Sequence, residues 1–253
     1  MASNPSQSCC YRGCKHYGKP LGTITTLNGF EVYTSHPPNK STENGILILT
    51  DIIGHRFTNA QLIADQFATN GYFVMMPDLF HGDPVPLNKP GEFDMQKWRM
   101  GEYHPQGKAH LPIDIDPIVE TCIREMHTNF NCKKLGAVGY CFGGKYVVRH
   151  LLPGKIDVGY TAHPSHVEAN ELKSIKGPLA IAAAELDAIF PAEKRQETEA
   201  ILKELNLPWQ MNLYGGVKHG FAVRGDHESP VVRYAMQSAF LQALEWFKEH
   251  LSS

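Results

Sequence analysis

The stretch AVGYCFGGKYVV, residues 137–148, decides the fold. The run KKLGAVGY (133–140) reads as a buried strand, and GGKYVVRHLL reads as a helix that stops at Pro153 and Gly154, so Cys141 falls on the corner between them. Glycine stands two residues before it, at 139, and two after, at 143. A strained strand-to-helix corner needs small neighbours on both sides, because strand and helix close tightly around it and leave the central side chain at the sheet's edge. The helix start beneath that side chain favours a thiolate and aims backbone N–H groups at an anion. The same five residues also fit a plain βα turn in which Cys141 is a small packed hydrophobe. Partners elsewhere in the chain must decide.

Outward from the corner, apolar runs alternate with helical periodicity. ILILT (46–50) predicts a strand, FTNAQLIADQFATNG a helix capped at Thr58 or Asn59 and stopped at Gly71, and YFVMMPD (72–78) the next strand. DIDPIVETCIREMHTNF predicts a helix from Ile113 or Asp114. Strands follow at 158–163, 179–185 and 209–215, with PAEKRQETEAILKEL as a helix between the last two and SPVVRYAMQSAFLQALEWFKEHL as a closing amphipathic helix. Such alternation predicts an α/β fold, a mainly parallel central sheet with helices on both faces, in one domain over residues 1–253. Residues 1–20 form an N-terminal segment. Residues 79–111, rich in proline and aromatics, break the pattern and predict a partly helical lid or pocket wall.

Composition narrows the function. The chain has 253 residues, 42% of them hydrophobic, enough for a substantial core. Its 24 basic and 26 acidic side chains leave a net charge of −2, which argues against a nucleic-acid or membrane partner and for a small, neutral or anionic ligand. MASNPSQSCCYRGCKHYGKP offers no signal-peptide core, and no apolar run approaches a bilayer span, so a soluble, cytoplasmic protein is expected. Six cysteines, at 9, 10, 14, 122, 132 and 141, lack the spread of a secreted disulfide framework and predict reduced thiols. Cys10, Cys14 and His16 invite a zinc reading, but no second pair completes a tetrahedral set, and no metal is expected. A redox role for Cys9, Cys10 or Cys14 stays open as a minor alternative.

Acyl transfer by Cys141 needs a base to move its proton and an acid to orient that base. LAIAAAELDAIFP places Asp187 just beyond a strand, with Glu185 as a competitor on the strand's end, and YGGVKHGF places His219 in a glycine-rich loop before the last helix. Cysteine, aspartate, histidine is the chain order of nucleophile, acid and base in α/β hydrolases. Strand-end geometry favours Asp187 over Glu185.

At GYCFGG, ELDAIFP and KHGFAVRGD the chain resembles the dienelactone hydrolase family, and the resemblance covers nearly its whole length. SCCYRGCKHYGKPLG and DLFHGDPVP look like the corresponding runs of fungal members. The resemblance implies an α/β-hydrolase fold and a Cys141–His219–Asp187 triad needing no metal or organic cofactor. It further implies hydrolysis of a small ester or lactone through an acyl-cysteine. Its oxyanion hole maps to the backbone N–H groups of Ile52, in LTDIIGH, and Phe142. Asp51 stands where the family carries an acidic residue that contacts the resting thiol, and equally suits a cap of the DIIG turn. Arg224 matches a carboxylate-binding arginine of the family, and Arg99 is a second candidate beside Trp98. Tyr140 and Phe221 are pocket candidates by their position next to Cys141 and near His219. A thioesterase or lactonase acting on a secondary metabolite would share this triad, and a non-catalytic ligand-binding relative would keep it; the sequence leaves these open, along with monomer against homodimer.

Overall fold

The structure is a computed structural model and describes residues 2–251. Eight strands form one sheet, in the order β1-β2-β4-β3-β5-β6-β7-β8. The first two, β1 (Thr23–Leu27) and β2 (Phe30–Ser35), make a hairpin that the alternating pattern did not predict. Its signal is nonetheless local: Asn28 and Gly29 both take positive φ, 46° and 88°, as a two-residue turn between twisted strands requires. β2 runs antiparallel to β4 (Phe73–Pro77), and every later pair is parallel.

The predicted core strands lie where the apolar runs placed them. β3 (Asn44–Leu49), β5 (Lys134–Tyr140), β6 (Val158–Ala162) and β7 (Leu179–Leu186) carry continuous apolar sequence because both of their faces are covered. Ile46 to Leu49 are completely inaccessible to solvent. The edge strand β8 (Trp209–Lys218) extends three residues beyond expectation, with a register irregularity against β7 near Leu186.

Helices cover both faces. α3 (Pro112–Thr128) and α4 (Phe142–His150) pack over β3 to β6, with α5 (Ala169–Ser174) against α4 and α6 (Ala192–Glu204) against α5. α1 (Thr58–Thr69), the short α7 (Phe221–Arg224) and α8 (Pro230–Leu251) group together on the other side. Tyr160 of β6 points to that side and donates its hydroxyl to Ala239 O of α8 at 2.7 Å. α2 (Met95–Arg99) is the one helix inside the 79–111 excursion, capped by the Asp94 carboxylate.

Two features of this topology position a site. β3 has β4 on one side and β5 on the other, so chain order reverses there, and crevices in parallel sheets form at the carboxyl ends of strands at such a switch point. The segment before β1 also runs back across that same end: Ser3 and Asn4 donate to Val167 O and Ile189 O, and Asn88 donates to Tyr11 O. No helix among the described residues is long and apolar enough to cross a membrane.

Candidate active site

Cys141 leaves β5 and opens α4 with φ 49° and ψ −109°, a backbone conformation that L side chains rarely take. Holding a non-glycine residue there costs about 1–3 kcal/mol, and the surroundings must over-determine it. They do. The Cys141 N–H donates to Ala162 O at 3.1 Å, its carbonyl accepts from Ser165 and Gly144, and Gly143 N–H donates to Thr50 O at 3.0 Å. The flanking glycines are enforced by contact rather than by local flexibility. A Cβ on Gly143 would sit 1.9 Å from Leu49 O, and one on Gly139 would sit 2.6 Å from Gly144 Cα.

His219 comes from the loop after β8, immediately before α7. Its Nε2 lies 3.1 Å from Cys141 Sγ and its Nδ1 lies 2.9 and 3.0 Å from the two Asp187 oxygens. Asp187 follows β7 directly and is fixed in turn by the N–H groups of Ile189 and Phe190. Glu185, the alternative acid, is exposed and accepts from Gly216 N–H at 2.7 Å, tying β7 to β8 away from the histidine. Cys141, His219 and Asp187 are all buried.

Burial sets the protonation pattern. It pushes the Cys141 thiol well above its ordinary range, with Cys10 adding to the shift and His219 opposing it. For His219 burial works downward, but the sulfurs of Cys10 and Cys141 and the Asp187 hydrogen bond outweigh it and raise the imidazole well above normal. Burial opposes ionisation of Asp187, and its bond to His219 overcomes that and keeps the carboxyl below its usual value. An ionised Asp187 therefore faces the Nδ1 side of the imidazole, and Nε2 faces the Cys141 sulfur.

Phe142 N–H stands at the first position of α4, where no intrahelical carbonyl faces it, and Ile52 lies in the turn after β3. Both are fully buried beside the corner. Asp51, next to Ile52 in the chain, caps its own turn through the Ile53 N–H at 3.0 Å and forms a buried ion pair with Arg224. Burial pushes the Asp51 carboxyl up while the Arg224 charge opposes that shift. Arg224 is thus already engaged: besides Asp51 its guanidinium donates to Arg12 O at 3.0 Å and Cys9 O at 3.4 Å.

Arg99 lies apart from these residues, on the wall of a crevice of about 540 Å³ between α2 and the N-terminal segment, with Pro5, Ser6, Phe93 and His166. From its floor a polar chain leads inward: Ser6 Oγ is 3.2 Å from Ser165 Oγ, which is 3.7 Å from Cys141 Sγ. Tyr140 lines a different cavity, of about 470 Å³, between α1 and α8. Phe221 is buried against Tyr214 and His163. Phe80 and Trp98 of the excursion pack on the ring of Phe142, at 5.2 and 6.2 Å between centroids, so this part of the excursion braces the corner.

Three side chains at the site escaped the sequence reading. Ser165 and His163 come from the HPSH turn after β6, which an α/β pattern marks as an active-site loop by its strand-end position alone. The His163 ring lies 5.0 Å from that of His219, neither of its nitrogens has a hydrogen-bond partner among the described residues, and burial holds it well below its ordinary pKa. The third is Cys10. The sequence grouped it with Cys14 and His16, but Cys14 is exposed and His16 bonds Gly225 O. Cys10 instead points into the site, its Sγ 3.5 Å from His219 Nε2. All six cysteines are free thiols.

A cysteine on a strand–helix corner, with aspartate and histidine delivered after later strands of a mainly parallel sheet, defines an α/β-hydrolase fold. The sequence profile of the dienelactone hydrolase family matches residues 30–251, and the chain belongs to that family. It is 70% identical to the hydrolase tropI of Talaromyces stipitatus and 48% identical to the hydrolase pyvD of Aspergillus violaceofuscus, in each case over 99% of both chains. A crystal structure of a putative dienelactone hydrolase from Klebsiella pneumoniae superposes with a TM-score of 0.73 at 13% identity, over 92% of this chain and 100% of that one. Family membership makes the protein a hydrolase of the ester and lactone type.

Proposed function

We propose that the protein hydrolyses a small, activated ester or lactone, dienelactone-like and carboxylate-bearing, through an acyl-cysteine intermediate. The observation that carries this reading is His219 held between the Asp187 carboxylate at 2.9 Å and Cys141 Sγ at 3.1 Å, beneath a backbone strained to φ 49° at the cysteine. Cys141 Sγ attacks the acyl carbon. The proton of the thiol passes through His219 Nε2 to the leaving oxygen, and Asp187 holds the imidazole in register and compensates its positive charge. The negative oxygen of the tetrahedral intermediate is received by the N–H groups of Phe142 and Ile52. Water, deprotonated by His219, then attacks the thioester carbonyl and frees the thiol.

Burial raises the Cys141 thiol and so favours its protonated form at rest. Proton transfer must then accompany attack, which suits substrates with good leaving groups, such as enol-lactones and thioesters, better than amides. Substrate reaches Cys141 through the crevice beside α2, and Arg99 on its wall anchors a substrate carboxylate. Arg224 positions rather than binds, because its guanidinium is occupied by Asp51 and two carbonyls.

Turnover of a panel of activated esters, enol-lactones and thioesters tests the reading. Hydrolysis that vanishes in Cys141→Ala and in His219→Ala supports it. A Cys141→Ala enzyme at full rate, or a wild-type protein that turns over no member of the panel, overturns it.

A further inference from the structure

Cys10 is a nucleophilic group buried in the site that the proposed hydrolysis does not use. It sits on a single 3-10 turn, Ser8–Tyr11, and is completely inaccessible to solvent. Its Sγ accepts from Gln7 N–H at 3.4 Å and lies 3.5 Å from the same His219 Nε2 that lies 3.1 Å from Cys141 Sγ. The two sulfurs and the imidazole nitrogen all fall within 4.8 Å of one another. A second thiol sharing the nucleophile's base is not needed for packing, since a serine would fill nearly the same space and could accept the same Gln7 N–H.

We propose that Cys10 is a resolving cysteine: a hydroperoxide oxidises Cys141, and Cys10 captures it as a reversible Cys10–Cys141 disulfide that switches the enzyme off and protects its nucleophile. In the first step Cys141 sulfur attacks the peroxide's terminal oxygen, an S–O bond forms as the O–O bond breaks, and the departing hydroxide of hydrogen peroxide, or alkoxide of an organic hydroperoxide, takes up the thiol proton as water or alcohol. Cys141 is then a sulfenic acid, oxidised by two electrons. In the second step the Cys10 thiol gives its proton to His219 and its sulfur attacks Cys141 sulfur. The S–S bond forms, the S–O bond breaks, and the leaving hydroxide recovers the proton from His219 as water. One peroxide is reduced and two thiols are oxidised, and a dithiol reverses the bond by exchange.

Geometry favours the ring closure. The backbone of Cys141 is fixed by β5, α4 and the Ala162 and Ser165 hydrogen bonds, whereas Cys10 rides on one short turn. The sulfurs have to close from within 4.8 Å to about 2.05 Å, a shift that side-chain rotation and a small movement of that turn supply. Cys9, the other thiol on this turn, is only partly buried, and its carbonyl is held by Arg224. Any path that admits an ester to Cys141 admits a hydroperoxide, which is smaller.

The test treats the full chain with hydrogen peroxide, blocks remaining thiols with an alkylating agent, and reads non-reducing tryptic peptides by mass alongside activity before and after dithiothreitol. Cys10 falls in peptide 1–12 together with Cys9, and Cys141 in peptide 135–145, so fragment sequencing and a Cys9→Ser variant distinguish the two N-terminal thiols. The expected result is a linked peptide through Cys10, retained in Cys9→Ser. Activity should fall at least about tenfold with peroxide and return to within about twofold on reduction. In Cys10→Ser the same dose should leave Cys141 with two or three added oxygens and activity that dithiothreitol does not restore. The proposal is overturned if wild type yields no Cys10–Cys141 peptide, if Cys9 is the partner, or if Cys141 is over-oxidised equally with and without Cys10. Because the link is read by mass, its absence is distinct from failure of the hydrolase reading, which is decided by turnover.

Discussion

Removing the Asp51 carboxylate should be among the most damaging single changes outside Cys141, His219 and Asp187. In Asp51→Ala the Arg224 guanidinium keeps its charge at any accessible pH, yet its side chain is only 1% exposed and its remaining partners are two carbonyls, Arg12 O at 3.0 Å and Cys9 O at 3.4 Å. Breaking a buried pair from one side in this way costs about 3–5 kcal/mol, and losing the Ile53 N–H contact places the total toward the upper end. Against a total stability of about 5–15 kcal/mol this is a large fraction. Urea unfolding followed by fluorescence and by circular dichroism should show the midpoint falling by roughly 1–2 M. Arg224 also ties down the N-terminal segment through those carbonyls and through Cys14 N–H on its own carbonyl, so limited proteolysis should cut before β1 faster in the variant. Replacing both partners, Asp51→Leu with Arg224→Met, should recover a substantial part of the loss, since no charge is then stranded. A midpoint within about 0.3 M of wild type in Asp51→Ala, or a double variant no better than the single, would refute the reasoning.

Other substitutions probe the corner, the base and the crevice. Gly143→Ala would drive a Cβ to 1.9 Å from Leu49 O, a backbone atom that cannot yield, so the melting temperature should drop by roughly 8–16 °C, read by calorimetry; a drop of a degree or two would contradict the contact. Asp187→Asn removes one of the causes that raise His219. Because a raised imidazole becomes a free base only above its elevated pKa, the acid limb of kcat/KM in wild type should lie above about 6.5 and move down in the variant, while kcat falls by about 10³–10⁴. An unmoved limb would remove His219 from the base role. Arg99→Ala should raise KM about tenfold for a carboxylate-bearing ester and leave a neutral ester within about twofold; equal effects on both would empty the crevice of its anchoring function.

The core and the corner were legible in sequence because their constraints are local. Four strands with both faces buried have to read as continuous apolar runs, and Gly139 and Gly143 are dictated by backbone atoms of β3 and α4 a few ångströms away. Asp187 and His219 were legible by chain order at strand ends, a consequence of parallel topology. The hairpin β1–β2 was missed although Asn28–Gly29 announced it, because its strands, TITTL and FEVYTS, are partly exposed and lack the continuous apolar runs of the parallel core. What sequence spacing does not carry is distance between segments far apart in the chain. Arg224 and Asp51 are 173 residues apart, and their mutual neutralisation removes from solution a cation that the family resemblance offered as a substrate clamp. Cys10 lies 209 residues from the histidine it faces. Its neighbours in sequence, Cys14 and His16, pointed toward a metal site that the fold does not assemble from them.

The acyl-cysteine itself is the most direct test of the account. Wild-type protein mixed rapidly with an activated ester or enol-lactone, quenched in acid and weighed intact, should carry one acyl group, and peptide mapping should locate it on Cys141. Slowing deacylation with His219→Ala should leave any adduct that forms on that same residue, and Cys141→Ala should carry none. An acyl group on another side chain, or steady hydrolysis by Cys141→Ala with no adduct at any time, would contradict the mechanism.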